Sequence, residues 1–133
     1  MAVEHLASCR CGQLRALCTG DPVRVSVCHC LDCQRRSGSA FAVQARFPAD
    51  QVRLTGNMRD WSASGVSGGR TTFHFCPDCG GTVAFRSDAL PELVAIPVGT
   101  FADTAFAPPT VSGYEERRHP WAAVLGDAVR HFD

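Results

Sequence analysis

The chain has 133 residues whose thirteen basic and thirteen acidic side chains cancel, with pI ≈ 6.9, and no segment concentrates arginine; a nucleic-acid or anionic-membrane footprint is not indicated. Every basic side chain is arginine, which excludes Schiff-base and pyridoxal-phosphate chemistry and any phosphate-loop reading of Gly65-Val66-Ser67-Gly68-Gly69, a surface loop on its composition. One domain over residues 1–133 is expected. The N-terminus lacks an apolar run long enough for a secretory signal and no stretch approaches a membrane span, so a cytoplasmic chain without membrane partners is expected.

The periodicity is mainly two, which predicts a mainly β, single-domain fold of antiparallel sheets. Strands are expected over Leu14 to Cys18 and Val23 to Val27. A half-buried strand follows at Phe41 to Phe47, where Phe41, Val43, Ala45 and Phe47 alternate with Ala42, Gln44 and Arg46. Phe73 and Phe75 alternate with Thr72 and His74 before Cys76, and Thr82-Val83-Ala84-Phe85 follows Cys79, so a cysteine knuckle joins two strands of a hairpin. A further strand is expected at Leu93 to Val98. Turns fit at Gly20-Asp21-Pro22, Pro48-Ala49-Asp50, Gly56-Asn57 and Asp88 to Pro91, and Ala102 to Pro109 reads as an irregular connection. One C-terminal helix is predicted: Pro120 suits a first helical position, and Trp121, Val124, Leu125, Ala128, Val129 and Phe132 recur at helical spacing.

Eight cysteines stand as Cys9-x-Cys11, Cys28-x-Cys30-x-x-Cys33 and Cys76-x-x-Cys79, with Cys18 alone. Thiols one or two residues apart in a tight turn can point at a common centre, and close-spaced cysteines in such a chain bind metal in preference to forming disulfides. The arithmetic gives two unequal zinc sites. Cys9, Cys11, Cys76 and Cys79 make a complete, structural set, each pair followed by glycine; Cys28, Cys30 and Cys33 make three, leaving a position for water or substrate in the manner of a catalytic zinc.

The neighbours are read from their positions. His29, between two ligands, points away from them and suits packing or support of the ligands. Arg35 and Arg36 follow the three-cysteine cluster and could receive the carboxylates of a peptide thiol, with Ser37-Gly38-Ser39 as backbone donors. Cys18 shares a strand face with Leu14 and Ala16 and reads as a buried free thiol. His74 and His119 read as strand-surface and helix-entry residues, and Phe101, Phe106, Tyr114 and Trp121 as core or cleft rim.

Taken together, Ser8-Cys9-Arg10-Cys11-Gly12, the run Cys28-His29-Cys30-Leu31-Asp32-Cys33-Gln34-Arg35-Arg36-Ser37-Gly38-Ser39-Ala40-Phe41, and Phe75-Cys76-Pro77-Asp78-Cys79-Gly80 resemble the glutathione-dependent formaldehyde-activating enzyme family. The resemblance continues through Gly99-Thr100 to Pro109, Tyr114, Arg118 and Trp121, while the family's C-terminal histidine is Ser112 here and its Asp-Asp-Pro is Ala102-Asp103-Thr104. It implies a β-tent fold, a structural zinc on Cys9, Cys11, Cys76 and Cys79, and a catalytic zinc on Cys28, Cys30 and Cys33. It also implies glutathione and a small aldehyde, formaldehyde, as partners in a carbon–sulfur lyase-type reaction that forms or cleaves S-hydroxymethylglutathione. A zinc carrying three thiolates is a weak Lewis acid suited to holding a substrate thiol deprotonated. The alternative is a non-catalytic zinc domain that binds a thiol metabolite or protein partner, its three-cysteine cluster completed by Cys18 or left as a weak metal site.

Overall fold

The computed structural model describes residues 2–65 and 68–133; Val66 and Ser67 of the glycine-rich loop lie outside the described residues. In chain order the elements are β1 (Glu4–Ser8), β2 (Arg15–Thr19), β3 (Arg24–Cys28), helix α1 (Leu31–Ser37), β4 (Ala42–Pro48) and β5 (Val52–Thr55). Then come β6 (Arg59–Ser64), β7 (Arg70–Phe75), β8 (Thr82–Ser87), β9 (Leu93–Pro97), β10 (Val111–Gly113) and β11 (Arg130–His131).

The strands divide into two sheets. The smaller has the order β1-β2-β5 and the larger β11-β10-β3-β4-β9-β8-β7-β6. Pairing is antiparallel except at one end of the large sheet, where β10 lies parallel to both β3 and β11, a departure from the all-antiparallel expectation. The core sits between the sheets: Ala7, Leu14, Ala16 and Cys18 of the small one meet Ala45, Phe47, Val83, Val94 and Ile96 of the large one. Phe101 and Phe106 stack at 4.3 Å and close that core against Phe47 and His5.

The two outer cysteine pairs are the turns of hairpins. Cys9 to Leu14 links β1 to β2, with the Cys9 N–H donating to Leu14 O at 2.9 Å; Cys76 to Gly81 links β7 to β8 with the same bond, Cys76 N–H to Gly81 O, also at 2.9 Å. Each turn then bends through a left-handed glycine, Gly12 at φ +87° and Gly80 at φ +78°, whose N–H donates to the carbonyl of the first cysteine. A side chain in that conformation would be strained, which is why glycine follows both pairs.

The C-terminal segment corrects the sequence reading. Residues 120–132 form no helix. Trp121 and Leu125 stand 73% and 86% exposed, only Ala122 is buried, and Arg130–His131 adds a strand to β10 instead. Gly126, at φ +133°, interrupts the helical pattern, and a glycine inside a helix costs about 1 kcal/mol. An apolar stripe gains nothing without a surface to bury it, whereas the open edge of β10 offers backbone partners at once. The one α-helix among the described residues is α1, at the three-cysteine cluster.

Two further readings change. His74 is buried rather than at the surface, with Nδ1 2.6 Å from Asp60 Oδ1 on β6, while Phe73 and Phe75 are half-buried. His119 is not at a helix entry; its Nε2 meets Gln34 Oε1 at 2.8 Å.

Candidate functional site

The structure brings together two thiol clusters. Within each, the sulfurs all lie within 4.8 Å of one another. In the first, Cys9 and Cys11 Sγ are 3.6 Å apart and Cys11 and Cys76 Sγ 3.7 Å. A tetrahedron with zinc–sulfur bonds of about 2.3 Å places neighbouring sulfurs about 3.8 Å apart, close to these two separations, so the four thiols are gathered at the scale that ion needs.

The surrounding donors also favour thiolates. Leu14 N–H donates to Cys9 Sγ at 3.3 Å, Asp78 N–H to Cys76 Sγ at 3.3 Å and Cys79 N–H to Cys76 Sγ at 3.5 Å. Gln13 Nε2 donates to Cys76 Sγ at 2.9 Å and to Asn57 O at 2.8 Å, while Asn57 N–H returns a bond to Gln13 Oε1. Gln13 therefore ties one knuckle to the other and both to the turn after β5. Burial opposes ionisation of Cys76, yet the Gln13 amide and the knuckle N–H groups carry its pKa down to about 6.

The second cluster is assembled by the end of β3 and the start of α1. Cys28 is the last residue of the strand; Cys30 caps the helix, its sulfur accepting from the Cys33 N–H at 3.3 Å. The C-x-x-C spacing is thus an N-cap and its third helical residue, which lie on one side of the first turn. Cys28 and Cys30 Sγ are 3.3 Å apart. The three thiols share protons unequally: a hydrogen bond from Cys33 lowers Cys28 to about 6, the same contact raises Cys33, and burial raises Cys30. A divalent cation at their centre would displace the protons that remain.

Cys18 belongs to neither cluster. It is fully buried between the sheets, where burial raises its thiol to about 11, so it does not complete the three-cysteine set. It is the buried free thiol expected from its strand face.

The three-thiol cluster opens on a cleft of about 370 Å³. Arg36 reaches this cleft, its guanidinium held 4.9 Å over the Phe85 ring and 5.7 Å from Phe73. Arg35 points elsewhere: 77% exposed and 3.9 Å from Asp32, it lines an adjoining groove of about 510 Å³ with Trp61, Phe73 and Phe75. Tyr114 lines the cleft in a left-handed conformation at φ +55°, a strain of the kind that concentrates at functional sites. Trp121, by contrast, is a solvent-exposed side chain away from it.

His29 is fully buried. Its Nε2 lies 3.0 Å from Ser112 Oγ and its ring packs on Phe41, while burial pushes its pKa below the ordinary range. It pins the cysteine loop to β10. Gln34, which the sequence reading passed over, donates to His29 O at 2.8 Å and Arg117 O at 3.1 Å and accepts from His119. Also missed were Arg24, Gln44 and Arg46, which line the cleft from β3 and β4. Alternation had placed Gln44 and Arg46 on the polar face of β4; that face is the cleft floor, and strand period alone does not distinguish a floor from open solvent.

The profile of the glutathione-dependent formaldehyde-activating enzyme family matches residues 4–117, a span that contains both clusters and the cleft. No curated protein matches the chain significantly. Among solved structures, the crystal structure of a Rhodobacter sphaeroides protein is similar, with a TM-score of 0.58 at 19% identity over 77% of this chain and 91% of that one, which shows likeness of fold alone. With nearly its whole described fold inside the matched span, the chain belongs to the glutathione-dependent formaldehyde-activating enzyme family.

Proposed function

We propose that the protein is a zinc-dependent carbon–sulfur lyase-type enzyme that forms or cleaves the adduct between glutathione, or a similar thiol, and formaldehyde. The observation that carries this reading is the inequality of the clusters: four thiols that close on one another, and three that open on a cleft from which Cys18 is absent. The first, on Cys9, Cys11, Cys76 and Cys79, is assigned a structural zinc; Cys28, Cys30 and Cys33 are assigned the catalytic one. Zinc bound by three thiolates supplies a fourth position that takes a substrate thiol and keeps it deprotonated.

The chain's own residues set the geometry. Cys30 and Cys33 are fixed by the first turn of α1, and Cys28 by the β3 ladder, and all three line the cleft. Carbon–sulfur bond formation then converts the aldehyde carbonyl into a hydroxyl: the sulfur lone pair attacks carbon, the carbonyl pair moves to oxygen, and oxygen takes up the proton the thiol gave up. Cleavage is the same step reversed, with no oxidant or reductant.

The test is exchange spectroscopy of glutathione and formaldehyde, read against the appreciable uncatalysed rate. The wild type should add a clear excess that disappears in Cys30→Ser. Serine is itself a good N-cap, so this variant keeps α1 while losing a thiolate. A wild-type rate equal to background would rule the reading out in favour of a non-catalytic thiol-binding zinc domain.

A further inference from the structure

Two arginines face each other across the sheet at the far end of the cleft. In the β3–β4 register Arg24 stands opposite Arg46, Ser26 opposite Gln44 and Cys28 opposite Ala42. Alternation puts these pairs on one face. Like charges directly opposite in a ladder are destabilising, so this pair is costly to keep unless something anionic lies between the side chains.

Buried polar atoms point the same way. Six side-chain polar atoms among the described residues are buried without a hydrogen-bond partner, and three of them, Arg36 Nη2, Gln44 Oε1 and Arg46 Nε, belong to residues that line this cleft. Gln44 is 4% exposed. The one acidic residue lining the cleft is Asp32, whose side chain is 58% exposed and lies near Arg35. Burial, and then the facing Arg24, pull Arg46 below its ordinary pKa, only partly offset by the Cys33 and Cys28 thiols, and no carboxylate of the chain pairs with it in a salt bridge among the described residues.

We propose that the Arg24–Arg46 end of the cleft is an anion subsite, in which Arg46 and Arg24 bind a carboxylate of the thiol substrate while Gln44 Oε1 accepts from its amide N–H. The proposal rests on the thiol reading above and names the residues that select the thiol. Cys28 and Arg24 are four residues apart on β3, about 13 Å along the strand. A ligand with its sulfur at Cys28 and its carboxylate between these arginine side chains spans part of that backbone length, which fits a peptide-sized thiol better than a mercaptoacetate.

Calorimetric binding of glutathione and of its diethyl ester to the zinc-loaded protein tests this, because the ester keeps the thiol and the amides and loses the carboxylates. The ester should bind about ten- to hundredfold more weakly, the worth of a charge-assisted contact, and Arg46→Gln should abolish that difference. Gln44→Met should weaken both ligands alike. Should Arg46→Gln not melt as a folded protein, Arg24→Gln, at an exposed position, reads the same difference. Equal affinities in the wild type, no binding of either ligand, or a preference undiminished in both arginine variants would overturn the proposal. Adduct formation measured in parallel separates the two readings: a charge preference in binding with no rate above background would sink the lyase reading and leave the subsite standing.

Discussion

Gln34 joins the three-thiol loop to the C-terminal segment through a single side chain. Its amide holds His29 O, Arg117 O and the His119 ring, from a position just after the third cysteine. Gln34→Ala should lower the zinc affinity of the open cluster by about ten- to hundredfold, the usual cost of losing a group that orients metal ligands, and leave the closed cluster's affinity unchanged; chelator competition measures both. The same substitution should destabilise the fold by about 1–3 kcal/mol, because His29 O and Arg117 O lose a donor.

A second prediction at this scale concerns acid stability. Glu115 Oε2 lies 2.7 Å from His131 Nδ1, a contact that holds the Glu115 carboxyl below its ordinary 4.5. Its folded pKa is depressed, so its contribution is complete above the ordinary value and is lost as pH falls through that value toward the folded one. Glu115→Gln should remove this part of the acid limb, by about 1 kcal/mol or less because His131 is half exposed. Urea midpoints between pH 6 and pH 3, wild type against variant, check it; a wild-type advantage that grows on acidification would contradict the sign.

At the scale of elements, the cysteine spacing was legible because coordination demands it, and the structure gathers the seven thiols into the two sets that counting gave. The β7–β8 knuckle hairpin and the strands around Ala45 and Ile96 were legible for a similar reason, since alternation reports burial against a sheet. The C-terminal helix was not, because periodicity measures the shape of an apolar stripe and says nothing about whether a partner surface exists. Nor were β6 and β10: Arg59–Ser64 is polar and largely exposed, and Val111–Gly113 is three residues long, so ladder partners alone define them. Gln44 and Arg46 read as solvent-facing for want of the opposite wall.

The two knuckles make an element-scale prediction. Cys11 and Cys76 are 65 positions apart, and a metal ion shared between them would staple the small sheet to the large one. Structural zinc binding is worth about 10–16 kcal/mol, comparable with or larger than the whole stability of a domain this size, about 5–15 kcal/mol. Cys76→Ser and Cys9→Ser should therefore yield unfolded or protease-sensitive protein, while Cys33→Ser, at the open cluster, stays folded. Thermal melts of the three variants read this directly, and equal native-like transitions would remove the distinction between the clusters.

For the molecule as a whole, the sheets divide the labour. The small sheet and the β7–β8 hairpin present the closed cluster, whereas β3, β4 and α1 present the open one together with the arginine-lined floor. No helix among the described residues is long and apolar enough to cross a membrane. The central claim is that one thiolate site is closed and the other takes a thiol from outside. Cadmium-113 resonance of the cadmium-substituted protein, before and after glutathione, tests it most directly. The account predicts two resonances: one in the four-sulfur range that glutathione does not move, and one at three-sulfur coordination that shifts toward the first when glutathione is added. Two four-sulfur resonances at the outset, or a three-sulfur resonance that glutathione leaves in place, would contradict it.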